Sequence, residues 1–212
     1  MLFPLLNQKC CKIERIQLIL QSAERKFHQV FHTRWLSFEG AVDAIVASTD
    51  PLFTVLIEDS ISDPTAKGIL KFVTTFSFLA TTYLLADILP VLARLSKRFQ
   101  RSQVDFTTVT DGVSVTIATL SGLKTTPGPK LTKFLSEIPA PSPTSQSFYY
   151  QGHYISDSIK QREDFVRNQD NLINKIADNL NSRFPDSGIV GSFAILDPQN
   201  LPSPSDLPSY GN

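Results

Sequence analysis

Apolar side chains recur along this chain mostly at intervals of three and four residues, the spacing that lines one face of an α-helix. Between residues 12 and 31, Ile13, Ile16, Leu20, Phe27 and Phe31 fall on such a face, with Lys12, Glu14, Arg15, Glu24, Arg25 and Lys26 between them. The pattern predicts an amphipathic helix. A second is expected from near Ser37, whose hydroxyl can cap free backbone N–H groups, with Phe38, Val42, Ile45 and Val46 turned inward and an end near Thr49. Asp50-Pro51 and Asp63-Pro64 each join an acidic cap to a proline of the first turn, predicting two further helix starts. From Pro64 a helix is expected to about Ala80, with a continuation or neighbour to Arg101 that bends at Pro90. In its last part Leu85, Ile88, Leu92, Leu95 and Phe99 form one stripe, and Arg94, Lys97, Arg98 and Arg101 gather on another face.

Residues 105 to 123 carry two patterns. Val113, Val115 and Ile117 alternate as in a strand, whereas Val109, Val113, Ile117 and Leu120 fit a helix opening at Asp105, and the helix is chosen. Residues 125 to 129 read as a turn, followed by a short helix from Lys130 to Ile138. Pro139, Pro141 and Pro143 among serines and threonines cannot sustain regular hydrogen bonding, so residues 139 to 147 are expected to be a linker. A long helix from about Ser156 to Arg183 would place Ile159, Phe165, Val166, Leu172, Ile173, Ile176 and Leu180 on its apolar side. Gln161, Asn168, Gln169, Asn171 and Asn174 would form a solvated polar side. The predicted fold class is an all-α multi-helix bundle. A helical domain covers residues 1–138 and a Pro/Ser-rich linker 139–147; a long and a short helix in 148–197 pack on the same domain, and a Pro-rich extended tail fills 198–212.

Composition changes this picture little. The 212 residues carry 20 Lys+Arg against 20 Asp+Glu, so no net charge recruits a polyanion, and 42% hydrophobic residues suit a single folded domain. Two adjacent cysteines, Cys10 and Cys11, cannot pair with each other without strain and read as reduced thiols. No Asn-x-Ser/Thr sequence occurs, and the apolar start Met1–Leu6 is too short for a secretory signal. One run, Phe72 to Ala93, is long enough to span a bilayer. Its single charge, Asp87, costs about 3 kcal/mol near a membrane centre, and Thr74, Thr75, Ser77, Thr81, Thr82 and Pro90 oppose insertion further. A buried core helix is the expectation, and a membrane anchor flanked by Arg94, Lys97, Arg98 and Arg101 is the alternative.

Motifs that carry chemistry are few. His28 and His32 have the four-residue spacing of a zinc-binding pair, but Cys10 and Cys11 lack the two to four intervening residues that let thiolates converge. No Gly-x-Ser-x-Gly, phosphate-binding loop, Gly-x-Gly-x-x-Gly or His-Glu-x-x-His occurs. Glu39, Asp43, Asp50, Glu58, Asp59 and Asp63 cluster without a base among them and read as helix caps and a solvated acidic flank. Basic residues form two patches, Arg25 to Arg34 and Arg94 to Arg101, each able to touch phosphates.

The run His32-Thr33-Arg34-Trp35-Leu36-Ser37, followed by Ala41-Val42, resembles the Arg-Trp motif of hAT-superfamily transposases. Asp87-Ile88-Leu89, Leu95-Ser96, Phe99-Gln100, Arg183-Phe184-Pro185-Asp186, Phe193-Ala194-Ile195-Leu196-Asp197-Pro198, Leu201-Pro202 and Tyr210-Gly211 are similar to a vertebrate-type group of transposon-derived, zinc-finger-protein-like hAT relatives. The likeness covers about residues 24 to 211. It implies the helical insertion domain that interrupts an RNase H-like catalytic core, without that core's acidic residues, its upstream BED-type finger or its downstream dimerisation segment. Trp35 would match the tryptophan that stacks on a displaced base, with Arg34 as a phosphate partner; a buried anchor is the alternative role for a lone tryptophan between helices. The implied function is non-catalytic, with no metal or cofactor. The expected partner is a protein or a larger transposase-like chain, nucleic acid would be held only weakly through Arg34, Trp35, Arg94, Lys97, Arg98 and Arg101, and residence would be nuclear.

Overall fold

A computed structural model describes residues 10–19, 35–100, 106–142 and 145–184. Within them the chain is mostly helical. The helices are α1 (Cys10–Ile19), α2 (Trp35–Ala47), α3 (Thr49–Asp59), α4 (Pro64–Val73), α5 (Phe76–Phe99), α6 (Phe106–Thr125), α7 (Pro129–Glu137) and α8 (Ile159–Arg183). Between α7 and α8 lies an antiparallel hairpin of β1 (Ser147–Tyr150) and β2 (His153–Ser156).

The arrangement turns on α5, which packs against α2, α6, α7 and α8. Its sequence suits that place because Phe76, Leu79, Tyr83, Leu84, Ile88, Leu89, Val91, Leu92 and Leu95 surround most of its circumference and all are buried; a helix apolar on most sides belongs in an interior. It is long and apolar enough to cross a membrane, yet 61% of that apolar stretch is covered by the rest of the fold. Its N-terminal half carries an aromatic stack. Tyr83 lies parallel to Phe134 of α7 at 4.8 Å, and Phe134 meets Tyr150 of β1 edge-on at 5.3 Å.

Asp87, the one charge in the apolar part of this helix before Arg94, has a structural task. Its Oδ1 accepts from the Lys130 N–H at 3.0 Å and its Oδ2 from the Leu131 N–H at 2.9 Å. These are two of the free donors at the start of α7, where the helix dipole also favours negative charge. Gly128 precedes α7 so close to this carboxylate that a Cβ there would stand 2.3 Å from Asp87 Cγ.

On one side of this core, α2 turns into α3 by 80° at Ser48. Ser48 is buried and accepts a 2.7 Å hydrogen bond from Gln17 Nε2, which fastens α1 to the corner. At the other end of α1, the Lys12 ammonium reaches Asp59 Oδ1 at 2.7 Å and Glu58 Oε2 at 2.9 Å, contacts that raise its pKa above the ordinary lysine value, Asp59 contributing most.

Several boundaries differ from those read off the pattern. The helix from Pro64 ends at Val73 rather than Ala80. The Thr75 hydroxyl accepts from the Phe78 N–H at 3.2 Å and starts a new helix, while the Thr74 carbonyl accepts from Ser156 N–H at 2.9 Å. Asp63 caps α4 as expected, accepting from the Thr65 N–H at 2.8 Å. Asp50 does not cap α3. Ser48 holds that position, and Asp50 instead accepts from His153 Nε2 at 2.9 Å. Helix α2 begins at Trp35, so Ser37 lies inside its first turn rather than ahead of it.

The largest correction concerns residues 147 to 158. The expected linker ends in a strand, and the long helix begins at Ile159 with Ser158 as its cap. Gln151 and Gly152, with φ of 45° and 84°, form the two-residue turn between the strands; two left-handed residues match the twist of a tight hairpin. The expected apolar side of α8 also shifts: Ile159 and Val166 are exposed, whereas Gln169 is buried and donates to the Leu123 carbonyl at 2.8 Å. The strand-like alternation in residues 105 to 123 yields to the helical one, with Val113 and Leu120 buried and Val115 exposed. His28, His32, Asp105, the second half of the helix expected over 12–31, and the piece from Ile189 to Leu196 lie outside the described residues.

Candidate functional site

Helices α5 and α8 run side by side in the same direction, Phe76 meeting Phe165 near their starts at 5.9 Å and Phe99 meeting Phe184 at their ends at 5.2 Å. Between their final turns lies a groove of about 390 Å³ lined by Leu92, Leu95, Ser96 and Phe99 from α5 and by Ile176, Asn179, Leu180, Arg183 and Phe184 from α8 and its cap. The floor is apolar because each helix places residues three or four apart on the same face. Among the described residues lining the groove, Arg183 carries a charge and none is acidic.

Cations surround that end of the molecule. Lys97 and Arg98 occupy the last turn of α5 and Arg183 the last turn of α8. Each sits where a helix concentrates negative partial charge, which stabilises it there by about 0.3–1 kcal/mol in an exposed position. Arg94 and Arg98 line a smaller cleft of about 160 Å³ on the other flank of Leu95, against Gly112, Val115, Thr116 and Thr119 of α6. Arg98 lies across Gly112, whose missing side chain leaves room for the guanidinium: a Cβ there would meet Arg98 Nη1 at 3.3 Å.

Of the residues expected to touch nucleic acid, Arg94, Lys97 and Arg98 are therefore exposed on consecutive turns at one end of α5. Trp35 is the first residue of α2, and the placement of its side chain, of Arg34 and of Arg101 lies outside the described residues. Sequence pattern marks each stripe separately. It does not show that α5 and α8 are parallel neighbours, so Ser96, Ile176, Asn179, Leu180 and Phe184 are not recognised as parts of one surface.

The acidic cluster does not form a metal centre. Asp59, expected on a solvated flank, binds Lys12; of the two expected caps Asp63 caps α4 and Asp50 binds His153, so the three carboxylates point to separate partners. Among the described residues no three His, Cys, Asp or Glu side chains are grouped to hold an ion. Tyr83 and Tyr150 share a 2.8 Å hydrogen bond between their hydroxyls in the core, and burial raises the pKa of both above the ordinary phenol value. Neither tyrosine lines the groove, and the pair belongs to the packing of α5, α7 and the hairpin. No family model matches the chain, and no solved structure matches it.

Proposed function

We infer that the chain is a non-catalytic helical domain, related to the insertion domain of hAT transposases, that holds a protein partner or a larger transposase-like chain in the groove between α5 and α8. The observation that carries this reading is the groove itself, in which half-buried Phe99, Ile176 and Leu180 lie over buried Leu92 and Leu95 between two helices, edged by Arg183. Half-buried apolar side chains in a groove rimmed by polar ones suit the docking of a partner. Residence in the nucleus goes with the transposase-derived part of the reading.

Weak nucleic-acid contact is a second reading, favoured by the exposed Arg94, Lys97 and Arg98 on one end of α5. Such contact would be electrostatic and steeply weakened by salt. Anchoring through α5 has its length and apolarity in its favour, and its cover by four neighbouring helices against it.

The test is a selection of displayed helical peptides on the full chain, counter-selected on the variant Asn179→Trp. Asn179 is exposed on the groove wall, so an indole there fills the groove without disturbing the core. Peptides that bind the natural chain and not the variant are the expected outcome. Selections that return only peptides indifferent to the substitution would remove the reading.

A further inference from the structure

We propose that Arg94 and Arg98 hold a phosphate monoester, carried on a serine or threonine of a protein partner, in the cleft between α5 and α6. The cleft lies across Leu95 from the groove and does not depend on it. Four residues apart on α5, the two arginines are exposed and leave the same helix face, with Cβ atoms about 5–6 Å apart. Like charges at that spacing repel, and among the described residues no carboxylate pairs with either guanidinium. Asp111, the neighbour of Gly112, does not line the cleft. The dipole of α5 accounts for Lys97 and Arg98 in its last turn, but its pull fades within that turn and leaves Arg94 unexplained. An anion shared by Arg94 and Arg98 removes their repulsion and engages both.

The wall of α6 shapes the site. Gly112 lets Arg98 lie against that helix, since a Cβ there would stand 3.3 Å from Arg98 Nη1 and 3.7 Å from its Cδ. The Thr116 hydroxyl donates to the Gly112 carbonyl at 2.7 Å, and the Thr119 hydroxyl to the Val115 carbonyl at 2.8 Å. Both protons are engaged within α6, so the donors offered by the side chains lining the cleft are the two guanidiniums. Its volume of about 160 Å³ is several times the roughly 30 Å³ of a water and admits one tetrahedral group. Charge then selects the class. A phosphate monoester brings about −1.5 to −2 charge and three acceptor oxygens, which match two planar forks. A carboxylate, or a single diester of a nucleic acid, brings one negative charge and leaves one arginine unmatched. Val115, 62% exposed at the rim, offers an apolar contact to a residue beside the phosphorylated one, which a free phosphate ion cannot use.

The experiment follows the arginine Nε–Hε signals of the full chain by NMR during titration at constant ionic strength. The probes are a short peptide with phosphoserine between two leucines, its unphosphorylated form, inorganic phosphate, and a short oligonucleotide that carries only diesters and has the same charge as the phosphopeptide. The phosphopeptide should shift the Arg94 and Arg98 signals saturably and bind about tenfold or more tightly than inorganic phosphate or the oligonucleotide, and the unphosphorylated peptide should shift neither. Arg94→Gln and Arg98→Gln should each weaken the phosphopeptide about tenfold, and Gly112→Ala about threefold by displacing Arg98. Lys175→Gln, which removes the same charge from an exposed site on α8, should leave binding unchanged. Unchanged helical circular dichroism shows that each variant folds. Equal binding of inorganic phosphate or of the oligonucleotide would overturn the assignment to a phosphorylated partner. Binding indifferent to both arginine substitutions, binding weakened as much by Lys175→Gln, or no saturable shift would overturn the site. None of these substitutions lines the groove between α5 and α8, so docking there stands or falls separately.

Discussion

The carboxylate of Asp87 shows how one side chain can look like a defect in the sequence and act as a joint in the fold. Placed in an apolar run it argues against membrane insertion, but the pattern cannot say what it serves, because its partners Lys130 and Leu131 are more than forty residues away. Replacing it by alanine leaves two backbone donors at the start of α7 unpaired beneath α5. Asp87→Ala should cost about 2–4 kcal/mol in urea unfolding, and Asp87→Asn less, since the amide still offers one acceptor oxygen. Gly128→Ala should cost about 1–3 kcal/mol because the new methyl group must displace the carboxylate. A pair of variants with unchanged midpoints would show that α7 is not held in this way. The Tyr83–Tyr150 pair makes a prediction in pH. Both phenols are buried and have raised pKa values in the folded chain, so the unfolded chain loses its protons first. Stability is then fully present below about pH 10, the ordinary tyrosine value, and falls as the pH rises beyond it. Each phenol contributes a loss of up to about 1.4 kcal/mol per pH unit until its folded pKa is reached. Tyr150→Phe should reduce that slope, and denaturant unfolding between neutral and strongly alkaline pH measures it.

At the scale of elements, local signals served best where one residue decides the outcome. Asp63-Pro64 starts α4, and the stripe of Ile88, Leu92 and Leu95 faces the core as its spacing predicts. They failed where two elements compete for the same segment. Residues 64 to 80 keep a helical pattern, and the break at Thr74 comes from the hairpin, whose Ser156 N–H takes the Thr74 carbonyl. The hairpin was itself legible: two four-residue runs rich in aromatic side chains flank Gln151-Gly152, and Phe148 and Tyr150 alternate with exposed Tyr149. The proline count upstream concealed it. What ties this hairpin to α8 and α5 is Arg162. Its Nη2 donates to Asp157 Oδ2 at 2.7 Å and to the Pro139 carbonyl at 3.0 Å, and its guanidinium lies 4.7 Å above the Phe76 ring. A planar fork makes these contacts together, and an ammonium cannot. Arg162→Ala should therefore destabilise the chain by about 3 kcal/mol, because it leaves the buried Asp157 unpaired, and Arg162→Lys should recover less than half of that loss. Full recovery by lysine, read from denaturant midpoints, would reduce the contact to simple charge pairing.

For the whole molecule the deciding question is whether α5 is an axle or an anchor, since length and apolarity permit both. Hydropathy alone sees one helix. The fold adds that α2, α6, α7 and α8 each pack on it, that Tyr83 joins it to the hairpin through Tyr150, and that Asp87 joins it to α7. A spanning α5 would have to give up all of these contacts together. It would carry Asp87 into hydrocarbon at a cost of about 3 kcal/mol and leave the donors of α7 unpaired. Its own insertion, a few tenths of a kcal/mol per apolar residue, cannot offset the loss of a core of this size. The full chain expressed in cells should accordingly be extracted from membranes by alkaline carbonate and elute as a single helical species in detergent-free buffer. The substitution Asp87→Leu makes the test sharper. It removes the one charge from the apolar part of α5, residues 76–93, and makes insertion easier, while stripping α7 of its cap. If α5 is the axle, this variant is less stable than the natural chain and no more membrane-bound; if α5 is an anchor, it becomes resistant to carbonate and keeps its stability.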